Sequence, residues 1–327
     1  MSQSLNSEKL LPLDGGRTLA YAENGNGSSS LLVIFLHGMF GVGTATEVNP
    51  VLAAKDVHFI APTLPAWGNS SPIPSPIPYH VGLAADIAAL IRHLHPEDEN
   101  LRIYIAGGSY GTVPAQMLYG APYDIFPYGP KIAGLLLGAP LTPFRYHKEH
   151  ASFMTMTNYI AIGAPSQAIP FRLLARLAKL VLGPKLKTPE KAEQFIRETL
   201  FDRMDEAERE EFRKWRGIKG KTEGQFEKEM GLNSFRSVAK TWDGFLEVAD
   251  VLNSDWGFEP AKLDDDHVNS KPVLVVVSKG DTMAPPGMGR WLANNYRNST
   301  LKVLDGGHLA LLYHFDETWA ELLAHEG

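Results

Sequence analysis

The sequence predicts an α/β fold, with a mostly parallel central sheet, helices on both faces and a helical segment inserted in the second half. Three observations carry this expectation. Short runs that are apolar throughout recur along the chain, as strands do when both faces of their sheet are covered. Helical periods separate these runs and give parallel strands the crossovers they need. From about Pro140 to about Phe235 only helical periods occur.

Composition bounds the rest. A chain of 327 residues accommodates one large α/β domain, or a core with an insertion. With 44% hydrophobic and 21% charged residues it is expected to be globular. A formal net charge of -6 disfavours nucleic acid and anionic lipid as partners, and leaves a small-molecule substrate as the expected one. The absence of Cys excludes a disulfide framework, a thiolate nucleophile, a zinc-thiolate site and an iron–sulfur cluster. Residues 1–8 show neither a basic nor an apolar leader region. No apolar run approaches the ~20 residues of a membrane helix. A soluble, cytoplasmic protein without membrane association is the expectation.

The elements follow in order. Leu10, Leu11 and Leu13 lead into Asp14-Gly15-Gly16 and then Arg17 to Glu23, the pattern of a hairpin. Residues 24–30 read as a flexible loop, and Leu31 to Leu36 as the first fully buried strand. A second buried strand covers Val57 to Pro62. The proline-rich stretch from Ser71 to Pro78 reads as an ordered, extended surface loop. Tyr79 to His95 carries Leu83, Ile87, Leu90, Ile91 and Leu94 at helical spacing. Strands follow at 101–106 and 131–139. Helical periods occupy 168–182, 189–202 and 205–216, punctuated by Pro165, Pro170, Pro184 and Pro189. The dense mixed charge of 185–230 reads as solvated helix faces. A helix over 235–252 returns to the core. Strands at 272–278 and 300–304, a helix at 287–296 and a final helix with Leu311, Leu312, Phe315, Trp319 and Leu322 complete the chain. The expected division is a core of residues 1–139 and 236–327 with a helical cap at 140–235.

One stretch organises the chemistry. The strand ending at Ala106 runs into Gly107-Gly108-Ser109-Tyr110-Gly111, and a helical pattern follows from Thr112. A serine between strand and helix needs a sharp turn, with small flanking residues where a Cβ would strike adjoining backbone. Such a turn lifts the Ser109 hydroxyl clear of the sheet. It also aims the Tyr110 N–H at whatever Ser109 attacks. A serine hydroxyl needs a base within hydrogen-bond reach, and the base needs a group that fixes its tautomer. His308 and Asp281 stand ready for those tasks, in the order Ser, Asp, His. His37-Gly38, Ser109, Asp281 and His308 all fall at carboxyl ends of expected strands, where open parallel sheets bind ligands.

With Leu36-His37-Gly38-Met39-Phe40-Gly41, Gly107-Gly108-Ser109-Tyr110-Gly111, Gly280-Asp281 with Pro285 downstream, and Gly306-Gly307-His308, the chain resembles the α/β-hydrolase superfamily. The resemblance covers the core outside the insertion. It implies Ser109 as nucleophile, His308 as general base and acid, and Asp281 as the acid that orients it. It implies an oxyanion hole from the N–H groups of Tyr110 and Met39, with Phe40 as the alternative to Met39. His37 then supports the loop and is not a catalytic base. The insertion matches the cap placed after the sixth strand in such enzymes. Relatives that open epoxides or remove halide carry Asp at the elbow. Serine favours attack on a carbonyl, hence a capped serine esterase or lactonase with no cofactor.

Around this reading stand alternatives and departures. Many relatives carry an Asp and Pro-Gly-x-Gly-x-Ser after the second buried strand, where this chain has Thr63-Leu64-Pro65-Ala66-Trp67-Gly68-Asn69-Ser70. Trp67 either lines the pocket or packs that loop. Phe40, Tyr146, Met154 and Tyr159 are further pocket candidates, since aromatic and Met side chains suit an adaptable apolar site. Gly-Gly-Ser-Tyr-Gly is close to the Gly-Gly-Ser-Trp-Gly of proline iminopeptidases. Against that reading, the loop at 37–41 lacks their Gly-Gly-Pro-Gly run, and no cap carboxylate is assignable to an amino terminus. A ligand receptor that keeps the fold but turns over slowly is the alternative from another class. His147 and His150 are not expected to bind metal, because no His-Glu-x-x-His pattern accompanies them. Asp264-Asp265-Asp266-His267 reads as a solvated loop. Gly41-Val42-Gly43 lacks the spacing of a nucleotide loop.

Overall fold

A computed structural model of the chain describes residues 8–96 and 99–324; residues 1–7, read above for a leader, lie outside them. Strands β1 (Lys9–Leu13) and β2 (Arg17–Gly25) form the expected antiparallel hairpin, with Leu11 opposite Leu19. Gly15 and Gly16 make its turn at φ of +70° and +72°, a conformation that side chains resist. Strands β3 (Leu31–Leu36), β4 (His58–Pro62), β5 (Arg102–Gly108), β6 (Ile132–Gly138), β7 (Val273–Ser278) and β8 (Ser299–Leu304) pair in parallel. The sheet order is β1-β2-β4-β3-β5-β6-β7-β8.

The continuous apolarity of these strands is explained by two cores, one on each face. On one face Ile34, Ile105 and Val275 meet helices α2 (Tyr79–Leu94), α3 (Thr112–Tyr119) and α12 (Pro286–Asn295). On the other, Val33, Leu136 and Leu274 meet α1 (Pro50–Ala53), α13 (Ala310–Tyr313) and α14 (Phe315–Ala324), where Trp319 is fully buried. Each Leu or Ile so buried contributes roughly 1.5–3 kcal/mol. A partly buried bidentate pair, Arg17 to Asp86 at 2.8 and 2.6 Å, ties the hairpin to α2. The proline-rich loop is ordered as expected. Its Ile73 lies on α2 at Gly82, where an added Cβ would come within 2.5 Å of the Ile73 side chain.

The insertion fills residues 139–272, between β6 and β7. It holds α4 (Met156–Ile162), α5 (Ala164–Ala168), α6 (Leu173–Leu182), α7 (Pro189–Ile196), α8 (Glu206–Ile218), α9 (Gln225–Val238), α10 (Asp243–Asn253) and α11 (Asp265–Val268). Several start signals are local. Thr188 caps α7 through the Lys191 N–H, with Pro189 in its first turn, and Asp205 caps α8 through the Glu208 N–H. One difference from expectation stands out. The helix expected at 235–252 is two helices, because α9 ends at Val238 and α10 begins at Asp243. Helix α10 packs on α4, α5 and α6, while its Val248, Val251 and Leu252 join the main core. It therefore packs on both insertion and core.

Candidate active site

The turn after β5 is built as its glycines require. Ser109 sits at φ +52°, the left-handed region, on the step between β5 and α3. A Cβ at Gly107 would come within 2.3 Å of the Gly111 carbonyl oxygen, and one at Gly111 within 2.1 Å of the Leu36 carbonyl oxygen. Both contacts are with backbone, so neither glycine accepts a side chain without moving the turn. Thr112 Oγ1 donates to the Ser109 carbonyl (2.6 Å) and accepts from the Leu141 N–H (3.1 Å). Gln116 Nε2 donates to the Thr112 and Leu141 carbonyls at 3.0 and 2.9 Å. This network anchors the turn to the segment that leaves β6.

The loop after β3 lies against the same serine. A Cβ at Gly38 would be 3.4 Å from Ser109 Cβ. His37 pins this loop. Its Nε2 accepts from the Leu64 N–H (2.9 Å), so Nδ1 carries the ring proton and donates to the Gly38 carbonyl (2.8 Å). Burial holds the imidazole neutral, with its pKa lowered from 6.5 to about 4. His37 is thus a strut between this loop and the one after β4, the supporting part that the resemblance implies for it. Among the described residues neither the Met39 nor the Tyr110 N–H donates to another element, and both residues line the cavity described below. Phe40, at φ +58°, stacks on Phe245 (5.2 Å) and meets Trp67, Phe195 and Trp242 edge-on at 5.9 to 6.3 Å.

Asp281 and His308 lie on the loops after β7 and β8. His308 Nδ1 donates to Asp281 Oδ2 at 2.8 Å. Asp281 Oδ1 accepts from the N–H groups of Met283 (2.8 Å) and Ala284 (3.0 Å). The carboxylate is buried and oriented by three donors, which leaves His308 Nε2 as the nitrogen able to take up a proton. Ser109 and His308 line one cavity; their side chains are not hydrogen-bonded to each other among the described residues. Such bonds often close only when substrate is bound.

Two polar residues of the insertion reach this site, and sequence reasoning missed both. Glu208 of α8 is buried against Gly306 and Gly307. A Cβ at Gly307 would lie 3.0 Å from its carboxylate. Burial raises the Glu208 pKa, opposed by the Gly307 N–H and reinforced by nearby carboxylates that include Asp281. Asn233 of α9 accepts from the Val42 N–H (2.8 Å) and donates to the Val42 carbonyl (3.2 Å), clamping the loop after β3. Each sits in a charge-rich or polar helical stretch that offers no distinguishing signal along the chain.

The cavity measures about 900 Å³ and lies between the strand ends and the insertion. Its walls are largely apolar, with Phe40, Phe195, Phe245, Leu252 and Leu309 among them. Of the expected pocket residues, Phe40 is in the lining. Trp67, Tyr146, Met154 and Tyr159 are not. Trp67 packs the loop instead, 1% exposed between the rings of His37, Phe40 and Tyr110. Met154 packs on the main core, and Tyr159 packs on Gly163, the residue that ends its helix. On α4 the lining falls to Asn158, Ala161 and Ile162. His147 and His150 are packing residues: His147 stacks on Trp291 (4.6 Å) and His150 on Phe144 (4.1 Å). Asp264 caps α11 and holds His267 at 2.6 Å, so this acidic run is a helix start and not a free loop.

The family model described as the alpha/beta hydrolase family matches residues 33–324, and the chain belongs to that family. Solved structures share its fold at low identity. The enol-lactonase from Burkholderia xenovorans LB400 is 13% identical with a TM-score of 0.59, over 97% of this chain and 100% of that one. An esterase from Exiguobacterium antarcticum is 15% identical with a TM-score of 0.56, over 98% and 99%. The 2-hydroxy-6-oxo-6-phenylhexa-2,4-dienoate hydrolase from Rhodococcus sp. strain RHA1 is 20% identical with a TM-score of 0.57, over 97% of each chain. No curated protein matches the chain by sequence. The chain is a hydrolase of the alpha/beta family.

Proposed function

We propose that this hydrolase cleaves a carboxylic ester or lactone of a small to medium, mainly apolar substrate through an acyl-enzyme on Ser109, beneath a cap formed by the insertion. The observation that carries the reading is the Asp281–His308 hydrogen bond beside a cavity that Ser109 also lines. In the proposed cycle His308 Nε2 takes the Ser109 proton as Oγ attacks the carbonyl carbon. The Tyr110 and Met39 N–H groups receive the oxyanion, each worth roughly 3–4 kcal/mol of transition-state stabilisation. His308, charged and held by Asp281, then protonates the leaving oxygen. Water, deprotonated in turn by His308, attacks the acyl carbon, and His308 returns that proton to Ser109 Oγ as the acyl–Oγ bond breaks and the acid leaves.

The apolar walls support an apolar acyl or alcohol group, because such walls gain free energy by removing apolar surface from water. The test is a fluorophosphonate probe together with a panel of p-nitrophenyl esters and lactones. Expected are covalent labelling and multiple turnover in the native chain, and neither in Ser109→Ala. Undiminished turnover in Ser109→Ala or His308→Ala overturns the mechanism. Labelling without turnover of any ester or lactone overturns the substrate class.

A further inference from the structure

Residues 150–189 contain no Asp or Glu and five of the chain's 31 Lys and Arg residues: Arg172, Arg176, Lys179, Lys185 and Lys187. Helix α6 lies within this stretch and is apolar on two sides. Leu174, Ala175, Ala178 and Leu182 line the cavity. Leu173, Leu177, Leu180 and Val181 face water, at 48, 50, 72 and 66% exposure, and Phe171 just before the helix is 85% exposed. Their spacing of four, then three, then one places them on one helical stripe. Nothing in α6 is buried. On α4, which also lines the cavity, Met156 and Ile160 are exposed at 72 and 43%. Large apolar side chains clustered on a free surface mark a docking site.

Charge identifies what docks. Arg172 is paired with Asp250 at 2.6 Å, and Lys185 with Glu198 at 3.7 Å. Arg176 and Lys179, beside the stripe, have no acidic partner among the described residues. Arg176 donates to the Phe171 carbonyl, and Lys179 lies 5.8 Å from the Trp242 ring. A twofold contact with a second copy would set these cations against their own equivalents, in a segment with no acid to meet them. An anionic bilayer surface supplies an apolar boundary for the leucines and negative charge for the cations.

We propose that α6 is an interfacial helix that docks the insertion on an anionic lipid bilayer. The net charge of -6, which argues against anionic lipid when averaged over the chain, conceals this basic apolar face. No described helix is long and apolar enough to cross a membrane, and the docking is to the surface only. The docking stands apart from the proposed esterase chemistry. Delivery of a lipophilic ester from the bilayer through the α4–α6 wall rests on that chemistry, so binding and turnover are measured separately.

The test is co-sedimentation of the full chain with vesicles of phosphatidylcholine, alone or mixed with phosphatidylglycerol, at low and high salt. The native chain is expected to bind the anionic vesicles and to be released by salt. Leu177→Ser/Leu180→Ser should weaken binding at least about tenfold. Arg176→Gln/Lys179→Gln should weaken it roughly fivefold per charge on anionic vesicles only. None of these four residues lines the cavity, so turnover of a soluble short-chain ester and the melting temperature should stay near native values. Three results overturn the proposal: no binding by the native chain, unchanged binding by both variants, or lipid-free self-association that Leu177→Ser/Leu180→Ser abolishes. The last result gives the stripe to a second copy.

Discussion

Asp281→Asn separates orientation of the His308 ring from folding of the loop that carries Asp281. Asp281 Oδ1 receives two backbone N–H groups, from Met283 and Ala284, and Oδ2 receives His308 Nδ1–H. An asparagine placed there keeps its carbonyl oxygen on the two backbone donors, because its amide nitrogen cannot accept them. The amide NH₂ then faces His308 Nδ1 and donates to it. That moves the ring proton to Nε2, the nitrogen that accepts from Ser109 in the proposed cycle. The loop survives and the base is lost. Loss of an orienting carboxylate in such a triad lowers kcat by about 10⁴, or about 5.5 kcal/mol of barrier. Asp281→Ala differs, since it leaves three donors without their acceptor at about 1–3 kcal/mol for each one that stays buried. The assay is kcat/KM on a p-nitrophenyl ester at neutral pH, with melting temperatures of both variants. Expected is an inactive Asn variant that melts near the native temperature and an inactive Ala variant that melts well below it. An Asn variant within about tenfold of native kcat/KM refutes the assigned role.

Other outcomes follow from the same geometry. Gly111→Ala puts a Cβ 2.1 Å from the Leu36 carbonyl oxygen and should destabilise the fold by about 3 kcal/mol or more and abolish probe labelling. Gly217→Ala in α8, with nothing within 4 Å, should instead raise stability by up to about 1 kcal/mol. His37 has its folded pKa lowered from 6.5 to about 4, so the unfolded chain takes up the proton first as pH falls. Its contribution is whole above pH 6.5 and is lost down to about pH 4, roughly 3 kcal/mol in all, readable in urea melts across that window. Arg17→Met leaves the buried Asp86 carboxylate without its partner and should cost about 3–5 kcal/mol at pH 7 by urea melt. Glu208→Gln removes a carboxylate whose pKa burial raises, so the variant should melt above the native chain at pH 7. That gain should fade as acid protonates the native Glu208.

Much of the sheet is readable along the chain because its causes are local. Leu31 to Leu36 is apolar at every position, and the fold covers β3 on both faces. Gly107 announces a turn because the backbone of Gly111, four residues on, excludes a Cβ there, although Gly111 itself is excluded by Leu36 at the end of β3. Thr188-Pro189 and Asp205 mark helix starts through contacts three residues on. Where the cause is tertiary, the reading fails. Tyr159 and Asn158 are neighbours on α4, yet only the polar one faces the cavity, and composition ranks them the other way. Trp67 is a large aromatic beside the site, but Gly244 of α10 lies against its indole and seals it in. Glu208 and Asn233 gain their meaning only when α8 and α9 fold back over loops far off in sequence.

The insertion is fastened unevenly. On one side Phe201 and Phe212 join Leu309, Leu312 and Tyr313 in a small core of their own, and Glu208 rests on the glycines beside His308. On the other side α4, α5 and α6 contain no buried residue. A wall so fastened would give way first at its α4–α6 edge. Ligand traffic past α4–α6 disturbs little, whereas prising up α8 would drag the imidazole loop with it. On the proposed function, a guest would enter past α4–α6 while Asp281 and His308 keep their places.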